Sequence, residues 1–325
     1  MGFLLAILLS FIPAFSYAAI LYWLDRFEKE PGRMLLGAFL WGAVVATGGA
    51  LIWSSVFEYS IFALTGSETI ADFSGTALVA PIVEESLKGL AVLLIFLAFR
   101  HEFDSLLDGI VYAGITALGF AATENVLYLY FQGYAEGGMG GLILLFVLRV
   151  LMGAWGHAVY TAFFGMGLAA ARMSHNRLVK IGAPLLGLLV AIGLHALHNT
   201  MATVAIEVAG GVGLLATFLV DWVSWAMVLA IVIWAIRREH GWITTHLRDE
   251  VAQGTISAEQ YTRACSTWGR VRSGVQGKER RRFYQTCAEL AQKKHQLRLH
   301  GDERGNQARI EGLRGELRRL APAMG

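Results

Sequence analysis

Seven long apolar stretches occupy most of the first 236 residues, and they constrain the fold more than any other feature of the sequence. A helix needs about 20 mainly apolar residues to cross the hydrocarbon core of a bilayer. Of the 325 residues, 55% are hydrophobic and only 16% are charged, whereas about 25% are charged in an ordinary soluble domain. The sequence therefore predicts an all-α, polytopic transmembrane bundle of about seven spans and argues against a soluble globular enzyme. The stretches lie at residues 2–24, 34–57, 76–99, 107–131, 141–171, 178–206 and 212–236.

The basic residues between these stretches predict the orientation in the membrane. Cytoplasmic loops of membrane proteins carry an excess of Lys and Arg. Basic residues occur in the first, third and fifth loops and directly after the last span, and the other three loops contain none. We therefore expect a multi-pass protein of the cell membrane with its N-terminus extracytoplasmic and its C-terminus cytoplasmic. The basic loop residues are Arg26, Lys29, Arg33, Arg100, Arg172, Arg177, Lys180, Arg237 and Arg238.

Residues 237–325 differ in character from residues 1–236. They contain 18 basic and 10 acidic residues, against 9 and 15 in the membrane part. Their apolar residues recur at helical spacing, as at Leu313, Leu317 and Leu320. We predict a basic, soluble helical tail in the cytosol, whose charged face is either solvated or lies on anionic lipid. Acidic residues are interspersed throughout, so we expect no nucleic-acid partner.

Several ionisable residues lie inside the predicted spans. Each charge in hydrocarbon costs about 2.5–3.5 kcal/mol even on the most lenient scale, so each one suggests a function. With about 1.5 Å of rise per helical residue, four of them from four spans fall in the outer half of the bilayer or near its midplane. These four are Glu84, Glu124, His157 and His195. We therefore expect one buried polar site that faces the interior of the bundle.

Helical spacing within each span supports this site. Residues four apart lie on one helix face, and this spacing relates Glu84 to Lys88, Phe120 to Glu124 and His195 to Asn199. Glu85 is three residues from Lys88. Arg149 is expected to neutralise an acid or to reach toward the interface, while Asp221 and His198 are expected to be structural.

Two kinds of chemistry suit these residues. A glutamate in apolar surroundings can take a proton from water, while imidazoles donate to a developing oxyanion. Alternatively, two imidazoles and a glutamate can ligate a metal. Both are hydrolases with an activated water, and no GxSxG nucleophile motif is present. A transporter or proton-coupled carrier that uses the same acids, or a structural role for them, remains an alternative.

Five segments, in order, resemble the PrsW family of intramembrane proteases. PIVEESLKGL at 81–90 resembles its EExxK motif, and FDSLLDGIVYAGITALGFAATENVLYL at 103–129 resembles the longer motif that ends in FxxxEN. GHAVYTAFFGMGLAAAR at 156–172 is similar to the histidine-bearing span, and LHALHN at 194–199 to the last motif. DRFEKEP at 25–31 resembles the first cytoplasmic loop. The family is related to the CAAX prenyl endopeptidases and the bacteriocin-processing enzymes.

The resemblance implies a bacterial intramembrane endopeptidase formed by residues 1–236, with a single-span membrane protein such as an anti-sigma factor as its substrate. It implies that Glu84 and Glu85 supply the general base and its partner. It further implies that Glu124, His157 and His195 orient water or stabilise the oxyanion. Asn199 would be a further donor, and Lys88, Phe120 and Asn125 would support the site, whereas His198 lies outside the motif. A metal, with Zn²⁺ the candidate, would use Glu85, His157 and His195, and metal-free water activation remains the alternative. An inactive relative kept as a scaffold also remains possible, and the oligomeric state is not predicted.

Overall fold

The computed structural model describes residues 1–25, 29–266, 277–302 and 305–324. Throughout these residues the chain is helical and contains no strand, which confirms the predicted all-α class. One compact unit is drawn from Met1–Leu24 and Glu30–Ile231, and a second from Asp25–Lys29 and Val232–Gly325. The predicted boundary at 236 and the boundary between these units lie in the same helix.

Eight principal helices form the first unit and lead into the second. They are α1 (Gly2–Leu24), α2 (Gly32–Thr65), α3 (Ala80–Ala98), α4 (Leu106–Leu127), α5 (Ala135–Leu145), α6 (Gly156–Met173), α7 (Arg177–Thr200) and α8 (Gly211–His246). A short helix, Glu68–Ser74, and a π-helical turn, Gly75–Val79, precede α3. Further π-helical turns follow α4, α5 and α7 at Tyr128–Tyr134, Phe146–Met152 and Met201–Ala205.

Five helical segments of the described residues are long and apolar enough to cross a membrane. They are Gly2–Leu24, Gly32–Thr65, Leu106–Met173, Arg177–Ala209 and Gly211–Ala252. Helix α3 is not among them, since it carries Glu84, Glu85 and Lys88. The 68-residue segment Leu106–Met173 covers two predicted spans and changes direction at Gly138, whose φ of 58° favours glycine. The chain is therefore a membrane protein, and the count of seven spans stays a prediction.

Helix α4 lies at the centre of the membrane unit and is buried on most of its surface. Small residues allow its neighbours to approach closely. A Cβ at Gly109 would lie 2.2 Å from the backbone oxygen of Gly165 in α6, and one at Gly119 would lie 2.0 Å from that of Phe39 in α2. The start of α4 is fixed by a capping box in which Ser105 accepts from the N–H of Asp108. This central helix carries Phe120, Glu124 and Asn125 to the site.

The second unit contains the predicted soluble helices. After α8 come α9 (Arg248–Ala252), α10 (Ala258–Ala264), α11 (Lys278–His300) and α12 (Asn306–Leu320). Leu317 is fully buried, and Leu313 and Leu320 pack against the same core, as their spacing predicted.

A buried ion pair lies within this soluble unit. The Glu250 carboxylate is buried and accepts hydrogen bonds from Arg314 Nη2 and Lys294 Nζ, each at 2.8 Å. Burial alone would raise the pKa of Glu250, but the hydrogen bonds from Arg314 and Lys294 outweigh it and hold that pKa below its usual value.

Candidate active site

Polar side chains from α3, α4, α6 and α7 meet at a cavity of about 560 Å³. The cavity lies inside the membrane unit. The structure brings nearly all of the predicted site residues to this cavity or directly behind its wall. Those on the wall are Glu84, Glu124, Asn125, His157, His195 and Asn199.

Lys88 and Glu85 form a fully buried ion pair behind the cavity wall. Lys88 Nζ lies 2.6 Å from Glu85 Oε1, and neither side chain is exposed. The other oxygen, Glu85 Oε2, accepts a hydrogen bond of 2.8 Å from Thr161 Oγ1 in α6. The ammonium also lies 4.3 Å from the centre of the Phe120 ring, a cation–π distance. Because a buried charge is costly without a partner, these contacts fix Glu85 as an ionised acceptor.

Glu85 also orients His195. His195 Nδ1 lies 2.9 Å from Glu85 Oε1. An ionised carboxylate only accepts hydrogen bonds, so we assign the imidazole proton to Nδ1. The lone pair is then on Nε2, which lies 3.8 Å from Glu84 Oε2 and faces the same cavity. A carboxylate that fixes the tautomer of an imidazole in this way is the usual arrangement behind a metal-binding or catalytic histidine.

Glu84 is in the opposite situation. Its Oε2 lies 3.6 Å from Lys88 Nζ and 3.8 Å from His195 Nε2, both too long for a hydrogen bond. Among the residues that the structure describes, this buried oxygen has no hydrogen-bond partner. A buried carboxylate oxygen without a partner is rare and calls for an explanation. Because Glu84 lines the cavity, its carboxylate is available there to accept a proton or to bind a cation.

His157 has partners on both of its ring nitrogens. Nδ1 lies 3.1 Å from Lys88 Nζ, and Nε2 lies 3.0 Å from Glu124 Oε2. An ammonium only donates, so Nδ1 accepts and Nε2–H donates to Glu124. Glu124 is held in turn by Arg149 Nη2 at 2.9 Å, which confirms that Arg149 neutralises an acid. Arg149 Nε also donates to Asn125 Oδ1 at 3.1 Å.

A break in the helix places His157 at the cavity. The sequence predicted one span over 141–171, but the chain leaves the helix after Met152 and resumes at Gly156. The N–H of Gly156 donates to the carbonyl of Gly153 at 3.0 Å, which closes the turn between them. His157 therefore lies in the first turn of α6, where the N–H groups have no acceptor within the helix. The partial positive charge of this helix end is directed at the cavity.

Sequence reasoning missed a second polar chain beside His195. The Tyr160 ring stacks on the His195 ring with centres 5.3 Å apart, and its hydroxyl donates to Asp221 Oδ1 at 2.8 Å. His198 Nδ1 lies 3.0 Å from the same oxygen. Tyr160 follows His157 by three residues on the same helix face, and that spacing is the signal that could have found it.

Asn199 contacts the backbone rather than another site side chain. Its Nδ2 donates to the carbonyl of Thr76 at 2.9 Å. Thr76 lies in the π-helical turn that precedes α3, so this contact ties α7 to the segment leading to Glu84. A role of Asn199 as an oxyanion donor therefore stays a prediction.

Comparison with known proteins identifies the family. The sequence model of the PrsW family of intramembrane metalloproteases matches residues 30–236. The chain belongs to the PrsW family. No solved structure matches the chain at a significant level.

Several relatives carry the name Protease PrsW. The protein of Geobacillus kaustophilus is 29% identical over 164 residues, which are 50% of this chain and 64% of that protein. The chain thus spans slightly less than two thirds of that relative's length. The Bacillus subtilis protein is 28% identical over 193 residues, 59% of this chain and 79% of that protein. The Oceanobacillus iheyensis protein is 30% identical over 191 residues, 58% of this chain and 78% of its own length.

PrsW membership supports a membrane-embedded hydrolase of peptide bonds and does not favour the transporter alternative. The matched region contains the whole polar cluster, from Glu84 to Asp221. The C-terminal tail, residues 237–325, lies outside it. The role of each site residue remains a matter for proposal.

Three side chains at the cavity form a group that could hold a metal ion. One ligand atom each from Glu84, His157 and His195 lie within 4.8 Å of one another. Two imidazoles and a carboxylate are a donor set that Zn²⁺ prefers. The carboxylate of this group is that of Glu84, whereas the resemblance implied Glu85. The oxygens of Glu85 already accept hydrogen bonds from Lys88, Thr161 and His195. The unpartnered Glu84 Oε2 fits a cation, whereas His157 would have to release Lys88 or Glu124.

Proposed function

We propose that the chain is an intramembrane endopeptidase in which Glu84 accepts the proton of the attacking water. The observation that carries this proposal is the unpartnered, buried Oε2 of Glu84, a residue that lines the cavity. A general base needs a free lone pair within reach of water, and desolvation makes a carboxylate a stronger base. Glu85 lacks that freedom because three donors hold it.

The neighbouring residues would act on Glu84 and on the scissile carbonyl. Glu85 keeps His195 in the tautomer whose Nε2 faces the cavity, and Lys88 keeps Glu85 ionised. The first turn of α6 lies at the cavity, and the partial positive charge of this helix end would stabilise a carbonyl oxygen that gains negative charge. Arg149 holds Glu124 as the acceptor that orients His157.

The family description and the Glu84–His157–His195 group support Zn²⁺ as the metal of this site. These three residues would hold it. A bound Zn²⁺ would polarise the scissile carbonyl and make its water more acidic. Because a carboxylate has two oxygens, ligation through one oxygen of Glu84 leaves the other to accept a proton.

We propose a single-span membrane protein, of the anti-sigma-factor kind, as the substrate, cut on or near the extracytoplasmic side. The loop charges predict that the N-terminus is extracytoplasmic and the C-terminus cytosolic. Support for that topology comes from a contact between the third and fifth predicted loops, in which Arg172 Nε donates to the Arg100 carbonyl at 3.0 Å. A reporter fused to the C-terminus should be active in the cytosol, and a signal from the outer side would contradict the topology.

Fragments of membrane proteins test the proposed activity. Cells that express the wild-type chain should accumulate new termini from single-span proteins, and Glu84→Gln should remove them. Glu136→Gln is the matched control, since Glu136 is exposed and lies away from the cavity. If the same fragments persist in the Glu84→Gln cells at equal protein level, Glu84 is not the base. If no fragment distinguishes wild-type cells from cells lacking the protein, the endopeptidase proposal fails.

A further inference from the structure

A second cavity opens where α3 and α6 end and α7 begins. It has a volume of about 410 Å³ and lies apart from the active site. Three basic side chains line it, those of Arg100, Arg172 and Lys180. The rest of its wall is apolar, with Phe96 and Leu168 among its residues, and within the described part of the chain no carboxylate lines it.

Two of the three cations of this cavity, Arg100 and Lys180, are not neutralised by an acidic side chain of the described residues. Neither Arg100 nor Lys180 forms an ion pair with a carboxylate among the described residues, and the nearest acid in sequence, Glu102, contacts His101 at 3.1 Å. The Arg100 guanidinium lies 5.4 Å from the centre of the Phe96 ring. Arg172 Nε holds the Arg100 carbonyl, which keeps the two helix ends together. The cavity is therefore preformed and complementary to an anion.

An apolar surface continues from the cavity along α7. Ile181 and Leu185, one turn apart, line the cavity and are 67% and 57% exposed. Lys180 is three residues from the start of α7, so it lies about 4.5 Å along the helix from its end. Since α7 belongs to a segment long and apolar enough to cross a membrane, we expect the basic groups near the membrane–water interface and Leu185, five residues beyond Lys180, farther into the hydrocarbon region.

We propose that this cavity binds one anionic phospholipid. Its phosphodiester would contact Arg100 and Lys180, and an acyl chain would lie on Ile181 and Leu185. Basic pockets between spans at the cytoplasmic interface attract anionic headgroups, and this is the side predicted to be cytosolic. A free phosphate would use the cations but leave the apolar wall without a ligand, so the combination of charge and apolar surface selects a lipid.

Lipid retention by the purified full-length chain tests the site. Native mass spectrometry in a nonionic detergent would compare added phosphatidylglycerol with added phosphatidylcholine. We expect one tightly retained phosphatidylglycerol and much weaker retention of phosphatidylcholine. Lys180→Gln should weaken retention about 5-fold, and Arg100→Gln with Lys180→Gln roughly 25-fold. Arg177→Gln, an equal charge loss at an exposed residue outside the cavity, should leave it unchanged.

Several results would overturn the proposal. Equal retention of the two lipids would show that charge does not select the ligand. Equal losses for Lys180→Gln and Arg177→Gln would indicate a diffuse surface effect rather than a site. Displacement of phosphatidylglycerol by millimolar inorganic phosphate alone would identify the ligand as a free anion. The melting temperature of each variant should match the wild type, and the exposed Lys180 allows a single substitution to decide the question if the double variant unfolds.

Discussion

Glu84 and Glu85 are neighbours in sequence, yet the structure predicts opposite effects of replacing each with Gln. Glu85 accepts hydrogen bonds of 2.6, 2.8 and 2.9 Å from Lys88, Thr161 and His195. Glu84 accepts none from the described residues, and its nearest cation is 3.6 Å away. We therefore expect Glu85→Gln to damage folding and activity together, and Glu84→Gln to damage activity alone.

The contacts set the size of each effect. Glu85→Gln removes the charge that offsets Lys88, which has no exposed surface, and breaking one side of a buried ion pair costs about 3–5 kcal/mol. Glu84→Gln loses no hydrogen bond to a described residue, so its unfolding free energy should change by less than about 1 kcal/mol. Loss of a general base should lower kcat about 100- to 10,000-fold.

Two measurements on the purified chain in detergent check these expectations. Unfolding can be followed by the fluorescence of the 9 Trp residues, and cleavage by the fragments of a labelled single-span protein that the wild type cuts. Glu136→Gln should behave as wild type in both. The reasoning is refuted if Glu85→Gln unfolds like the wild type, or if Glu84→Gln is the variant that loses several kcal/mol of stability.

Three further predictions concern the surroundings of the site and the tail. Asp221→Asn should lower kcat about 10-fold with little change in KM, because Asp221 holds the tyrosine that stacks on His195; an unchanged kcat would contradict this role. Chelation should remove the bound metal, measured by atomic emission, and abolish cleavage until Zn²⁺ is returned. Full activity of protein verified to contain no metal would instead favour activation of the water by glutamate alone. The pKa of Glu250 is lowered in the folded tail. Its ionised carboxylate therefore stabilises the folded tail above about pH 4.3, and this stabilisation is lost as the pH falls below that value. Glu250→Gln should therefore expose the buried Cys287 thiol to alkylation at neutral pH, and continued protection of Cys287 would contradict that account.

The apolar pattern predicted the helices well where one stretch forms one helix. The first span was predicted at 2–24, and α1 is Gly2–Leu24. The break before His157 could not be predicted from the apolar pattern, because the sequence around Gly153 and Gly156 resembles that around other glycines in the apolar stretches. Their effect depends on backbone hydrogen bonds that form only in the folded chain.

The spacing in the sequence predicted which polar residues meet but not which role each of them has. In the sequence, Lys88 follows Glu84 by four residues and Glu85 by three, and both contacts are present in the structure. Which glutamate pairs closely was decided by Thr161 and His195, which reach Glu85 from α6 and α7. Asp221 was expected to be structural, and its link to Tyr160 depends on packing between α6 and α8 that no local pattern encodes.

The charge balance of the cluster explains why Glu84 differs from the other acids. The three carboxylates of the cluster face two basic side chains, those of Lys88 and Arg149; the carboxylates are those of Glu84, Glu85 and Glu124. The two cations pair closely with Glu85 and Glu124, which leaves one negative charge at Glu84 if the imidazoles are neutral. An uncompensated charge in a low-dielectric interior must be offset by a proton or by a cation. A general base receives the proton from water, and a metalloprotease binds the cation, so both mechanisms use the Glu84 carboxylate. Glu84→Gln removes this surplus charge, and that is why the substitution should leave the fold intact while it ends the chemistry.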